Sequence, residues 1–248
     1  MWLGEATAMQ RRALAAAALG WMLDSMDILL YSMVLTHLMQ DLEMPESTAG
    51  LLASLTLVSS AIGGVLFGIM ADRMGRARSL MASILIYSVF TAACGLSQSV
   101  VQLGIFRVLL GLGMGGEWAC GAALVAETWP TRHRGKALGV MQSSWAVGYA
   151  LAAGVTALVL PRFGWRAVFF AGVVPALVTF WIRRFVAEPE IWQRSREIAS
   201  TSSTRVVLSK LWQGELRRHV IVTSVANAGT MFAWWGLFTW IPAFLSLP

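Results

Sequence analysis

Arg107-Val-Leu-Leu-Gly-Leu-Gly-Met-Gly-Gly-Glu117 sits inside a run, Val101 to Ala126, that is otherwise almost wholly apolar and long enough to cross a bilayer. A base and an acid ten residues apart on such a segment cost on the order of several kcal/mol in hydrocarbon. Chains keep such residues where they line an internal cavity or face a partner helix. This segment therefore predicts a membrane-embedded helix at the functional centre, and the rest of the chain is read for its partners.

Composition agrees. Of 248 residues, 57% are hydrophobic and 13% charged, against roughly a quarter charged in soluble domains. The net charge of +6 does not indicate nucleic acid, because the bases fall in short clusters between apolar runs rather than along one face. Cys94 and Cys120 lie inside apolar stretches and read as small core residues, not a disulfide framework. Arg11 and Arg12 precede an apolar run, as in a signal peptide. That run contains Asp24 and Asp27 and has no clear cleavage site, so a retained first helix is expected.

Seven helix-length apolar stretches recur, at about 14–37, 48–71, 79–97, 101–126, 136–160, 166–186 and 219–245. Pro45, Pro130, Pro161 and Gly164 punctuate the breaks. With the N-terminus inside, the inner segments hold sixteen Lys and Arg and the outer loops only Arg162 and Arg166. The positive-inside rule thus orients the chain with a cytoplasmic N-terminus. Residues 187–218, rich in Ser, Thr, Arg and Glu, read as an inner linker. A merely solvated loop explains that stretch at least as well as a regulatory one. The expected organisation is a six-helix membrane domain over 1–186, the linker, and over 219–248 the first helix of an incomplete second domain, carrying Trp234, Trp235, Trp240 and Pro242.

Three stretches carry chemistry. Gly68-Ile-Met-Ala-Asp72-Arg73-Met-Gly75-Arg76-Ala-Arg78 occupies the inner junction of spans two and three. Gly68 would let another helix approach closely, and Asp72 would suit a helix N-terminus. Glu127-Thr-Trp-Pro-Thr-Arg-His-Arg134-Gly occupies the next inner junction. Gly111 to Gly116 happens to match GxGxxG, but it lies mid-span with no strand before it, so helix packing explains it and nucleotide binding is rejected.

The third set is the charge buried in the spans. Asp24 and Asp27, three apart, share a face of the first helix. Arg107 is the only base read as buried, against three buried acids, Asp24, Asp27 and Glu117. At least one acid therefore lacks a permanent cationic partner. Burial favours the neutral form of a carboxyl, so such a group can take up and release a proton. A structural pairing of acid with base is the plainer alternative. Taking about 1.5 Å per helical residue, Asp27 falls at a depth Arg107 can reach, and Asp24 at that of Glu117. Two levels in one cavity are expected: Asp27 with Arg107, Asp24 with Glu117. Tyr31, Gln142 and Asn227 are further candidates to line it, with helix packing an equal explanation for each.

The Gly68–Arg78 loop resembles the signature loop of the major facilitator superfamily, and the Glu127–Gly135 junction resembles its counterpart between spans four and five. The resemblance implies that Asp72, Arg76, Glu127 and Arg134 form an inner charge network that closes when the carrier faces outward, with Gly68, Arg73 and Gly75 in the same gate. Weak pairing of four loop charges is the alternative. Within the superfamily, three features are similar to the metabolite–proton symporters that carry sialate, aromatic acids and monocarboxylates. They are the paired aspartates, Arg107 followed by glycines and Glu117-Trp118, and the Glu127–Gly135 stretch. In that branch the paired acids and the span-four arginine matter for transport, which implies the same for Asp24, Asp27 and Arg107. Ser25 departs from the glycine common after the first aspartate.

The expected fold is thus an all-α polytopic membrane protein: the N-terminal six-helix half of a facilitator plus a seventh helix, with the C-terminal remainder absent. The sequence is either a fragment or a natural truncation that needs a complementing C-terminal half. The resemblance implies proton-coupled symport of a small carboxylate by alternating access, in a cell membrane of the bacterial inner-membrane kind. Its partners are the substrate and the lipid bilayer. The proton is the coupling ion, with no other cofactor and no metal. A sugar or other metabolite carrier of the same fold, and a truncated, transport-inactive membrane protein, are the alternatives. An enzyme is not indicated: HExxH and GxSxG are missing, and His37, His133 and His219 are scattered at span ends or in loops.

Overall fold

The first helix starts where its sequence supplies a cap. Gln10 N donates to Thr7 Oγ1 (3.2 Å) and Thr7 N donates to Gln10 Oε1 (2.9 Å), satisfying two backbone donors that a helix start leaves open. From there α1 runs Ala8–Asp41. In the computed structural model, which describes residues 3–199 and 213–245, there follow α2 (Glu46–Met74), α3 (Arg76–Gly95), α4 (Val100–Thr128) and α5 (Thr131–Phe170). A 3-10 turn (Ala171–Val173) leads to α6 (Val174–Phe185), then α7 (Glu190–Ala199) and α8 (Gly214–Leu245). No strand occurs among the described residues. The chain divides into two units, residues 1–197 and 198–248.

Five stretches among the described residues are long and apolar enough to cross a bilayer, the last being Thr131–Ile182. At 52 residues it would be about 78 Å of continuous helix, more than twice a hydrocarbon core of about 30 Å. Gly164 (φ 74°, ψ 177°) interrupts it, so the fifth and sixth spans part where Pro161 and Gly164 mark a break. The seventh expected span falls on α8. The side chains of Trp234, Trp235, Trp240 and Pro242 lie outside the described residues.

Within the first unit, α4 packs most extensively on α2 and α3, and α1 on α5. Small residues make the α2–α4 contact close. A Cβ on Gly63 would meet the Leu112 backbone, and one on Gly111 or Gly115 would meet the backbone of Thr56 or Ser60. With lipid outside, association rests on van der Waals contact that only small residues permit at this range. The GxGxxG match is therefore a packing seam. Apolar side chains such as Leu57, Val65, Val101 and Leu158 face outward while Asp24, Asp27, Arg107 and Glu117 are buried. That inversion suits lipid as the outer medium.

The stretch read as a linker opens differently from a solvated loop. Glu188 accepts from Ala77 N (3.2 Å) and Arg78 N (3.1 Å), and Trp192 Nε1 donates to the Asp72 carbonyl (2.9 Å). Glu188 and Trp192 thus tie the start of this stretch to the α2–α3 turn, and Glu190–Ala199 is helical. The remainder of that stretch, residues 200–212, lies outside the described residues.

Candidate functional site

The α2–α3 turn shows how the charged junction is built. Gly75 (φ 113°) ends α2 and opens α3 in a backbone conformation that side-chain-bearing residues rarely adopt. A Cβ there would also strike the Glu188 carboxylate. One turn before it, Asp72 Oδ1 accepts from Arg76 Nη1 at 2.6 Å, and Arg76 reaches Glu127 Oε1 through Nη2 (2.8 Å) and Nε (3.0 Å). The Arg76 side chain is 14% exposed and Glu127 20%, whereas Asp72 is 65% exposed. The Arg76–Glu127 link is accordingly the stronger one, on the order of 1.5–3 kcal/mol for a charged hydrogen bond out of water, against under about 1 kcal/mol for an exposed pair.

Three expectations are corrected here. Arg134 makes no ion pair among the described residues, and its Nε is buried without a hydrogen-bond partner; the closed network has three members. Asp72 caps no helix start, because it sits in the last turn of α2 and spends its carboxylate on Arg76, leaving the first N–H groups of α3 to Glu188. No described residue approaches within 4 Å of a Cβ placed on Gly68, so Gly68 receives no close helix from this unit. Arg73 is exposed.

The second cluster lies deep in the unit. Asp24, Asp27, Arg107 and Glu117 are each at most 4% exposed. Glu117 on α4 directs its carboxylate at Gly20 of α1, where a Cβ would collide with it. Gly20 is one turn before Asp24, and Asp24 and Glu117 are electrostatic neighbours. Asp27 is likewise within electrostatic reach of Arg107. The four side chains are thus buried in one unit, each expected pair within electrostatic range. Asp27 and Arg107 form no salt bridge among the described residues. The guanidinium instead lies 3.9 Å over the Tyr31 ring, whose hydroxyl donates to the Ala49 carbonyl (3.0 Å).

Asp27 also faces α3 and the turn before α6. Its Oδ1 lies 3.4 Å from a Cβ placed on Gly172, where Thr91 packs too. The Thr91 hydroxyl donates to the Tyr87 carbonyl (2.8 Å) and also lies within hydrogen-bonding reach of Asp27. Gln142 is exposed on α5, and Asn227 is exposed on α8 in the second unit. Neither is joined to the buried charges by a described hydrogen bond.

Two features escaped the sequence reading. One is the packing of a cluster of tilted rings, of which only Trp145 and Tyr149, near Gln142 on span five, are sequence candidates to line the cavity: Trp21 lies 5.0 Å from Trp118 and 4.7 Å from Trp145, and Trp145 lies 6.4 Å from Tyr149. Ser25 ties the same level by donating to the Trp145 carbonyl (2.9 Å). The other is Tyr87 on α3, fully buried and an electrostatic neighbour of Glu117, Asp24 and Asp27. A single tyrosine in an apolar span carries no pattern that separates it from packing, so only the fold could have found it.

The family model described as Major Facilitator Superfamily matches residues 15–247. A putative metabolite transport protein of Haemophilus influenzae is 36% identical over 95% of this chain and 59% of its own length. A probable 4-methylmuconolactone transporter of Cupriavidus pinatubonensis is 37% identical over 99% of this chain and 58% of its own length. This chain spans somewhat more than half the length of these relatives, which are transporters and not enzymes. Among solved structures, the proton:xylose symporter XylE superposes with a TM-score of 0.68 at 23% identity, covering 76% of this chain and 47% of that one. That likeness is one of fold.

Proposed function

Because this chain belongs to the major facilitator superfamily and is a multi-pass membrane protein, we propose that it supplies half of the binding site of a carrier that moves a small organic anion together with a proton by alternating access. One observation carries the reading. Arg107 is a buried guanidinium held by a ring and, among the described residues, not by a salt bridge, within electrostatic reach of one carboxylate and on the helix of another. Arginine keeps its charge at any working pH and offers a planar fork matched to a carboxylate. A guanidinium not spent on an ion pair is available to a substrate carboxylate. Three acids against one base leaves protons as the means of neutralising the remainder, and loading the substrate changes how many are needed.

Relatives described as carriers of cis,cis-muconate, niacin, sialic acid and benzoate support an organic-acid substrate. The ring cluster of Trp21, Trp118, Trp145 and Tyr149 offers aromatic surface to an unsaturated body. The Asp72–Arg76–Glu127 network is the inner gate in this reading, with the N-terminus cytoplasmic and the chain in a cell membrane. The test is uptake of a labelled organic acid into proteoliposomes under an inward proton gradient, with this chain alone and with a C-terminal half supplied. Gradient-driven accumulation is expected in the second case. Arg107→Ala should weaken apparent substrate affinity at least about 10-fold, the loss of roughly 1.4 kcal/mol. Asp27→Asn should abolish accumulation. Normal transport by both variants would refute the assignment.

A further inference from the structure

The polar atoms at the centre of the first unit are too many for the partners the protein gives them. Tyr87 Oη, Ser88 Oγ, both oxygens of Glu117, Asp24 Oδ1 and Arg107 Nε are buried with no hydrogen-bond partner among the described residues. They come from α1, α3 and α4, and Tyr87 has the acids of both α1 and α4 as electrostatic neighbours. The crossing of α3 and α4 sets this position. Ser83 Oγ donates to the Gly113 carbonyl (2.7 Å), and a Cβ on Gly113 would come within 2.7 Å of Tyr87 N. Tyr87 therefore packs against α4 at Gly113, with Glu117 one turn further along that helix.

An isolated unpaired buried polar atom costs on the order of 1–3 kcal/mol, and a cluster of them is the usual setting for internal water. Each group here is of a kind that hands protons on. Carboxyls donate or accept, and the phenol does both through one oxygen.

We infer that Tyr87 is a proton-relaying residue, joining Asp24 and Asp27 of α1 to Glu117 of α4 through a few water molecules sealed inside the unit, apart from the substrate's own path. In a transfer, the phenol O–H proton passes to a carboxylate or water on one side. The phenol oxygen then takes a proton from a carboxyl or water on the other, so Tyr87 ends as it began and one proton has changed acids. The titratable and charged groups around this chamber are Asp24, Asp27 and Tyr31 from α1, Cys94 from α3, and Arg107 and Glu117 from α4. The inference rests on the proton-coupled reading of the same acids. It adds the route between them and a residue outside the charged set.

The test uses this chain in lipid nanodiscs, where the infrared carbonyl stretch of protonated carboxyls is followed through a pH titration in H2O and in D2O. Glu117→Gln identifies the band that belongs to Glu117. In Tyr87→Phe that band is expected to shift, because its hydrogen-bonding changes, and its deuterium exchange is expected to slow at least about 10-fold. Thermal stability should not rise. An unchanged band and exchange rate would overturn the inference. A clear gain in melting temperature would also overturn it, since removing a dry, unpaired hydroxyl stabilises a core. Failure of Tyr87→Phe to insert and fold would assign the hydroxyl a structural role and overturn it as well. The infrared result does not depend on transport, so an absence of proton-driven uptake by the unaltered carrier would refute the transport reading alone.

Discussion

Gly20 and Glu117 show how one small residue decides the state of a large one. The Glu117 carboxylate occupies the volume that a Cβ on Gly20 would fill, and the side chain is fully buried. Gly20→Ala should therefore expel or twist the carboxylate, destabilising the unit by about 1–3 kcal/mol as overpacked cores do. Thermal unfolding in detergent checks this. Adding Glu117→Ala to the glycine substitution should recover most of the loss, and no recovery would show that the clash lies elsewhere. At this scale the sequence was legible where charge made the anomaly. Asp24, Asp27, Arg107 and Glu117 stand out because apolar spans rarely hold ions, and Asp spacing of three residues placed both on one face. Tyr87 and the contacts among the rings were not legible. Aromatic side chains are ordinary in spans, and their meaning arises from neighbours on other helices.

Helix boundaries were readable for the same kind of reason. Proline and glycine at Pro45, Pro130, Pro161 and Gly164 cannot continue helices without local strain or lost hydrogen bonds, and the elements end near them. The start of α3 was not readable. Its first free N–H groups bond to Glu188, which is 111 residues away from Ala77 along the chain, and no local pattern encodes a cap delivered from that distance. The carboxylate there meets both the free donors and the positive end of the helix dipole. Glu188→Ala should cost about 0.5–2 kcal/mol, the range of lost helix caps, with Glu188→Gln losing less because it keeps an acceptor oxygen. Thermal melts of the two variants in nanodiscs would separate them; equal losses would mean charge alone matters at this site. The same contact explains why Gly75 has two duties. Its backbone angle and the carboxylate beside it each exclude a side chain.

At the scale of the whole molecule, the fold class followed from composition and the spacing of apolar runs, because lipid leaves a chain few ways to satisfy its backbone. The placing of charge within the first unit is more revealing. One end carries the Asp72–Arg76–Glu127 network; the other carries Arg166, which donates to Asp41 at 2.7 Å and to the Ser97 carbonyl at 3.4 Å, while Trp165 Nε1 donates to Asp41 at 3.2 Å. These bonds join the end of α1, the α3–α4 turn and the stretch after the Gly164 break. All three turns at that end answer to one side chain. In the proposed alternating-access reading, ties at both ends of the unit favour moving it as a body over splaying its own helices. A covalent staple should then go unnoticed: with Asp41→Cys and Arg166→Cys joined by a short bifunctional thiol cross-linker, substrate exchange by the reassembled carrier should stay within about 2-fold of the form that is not cross-linked. A staple that stopped exchange would show instead that the corner opens in every cycle, which would make Arg166 a hinge pin rather than a rivet.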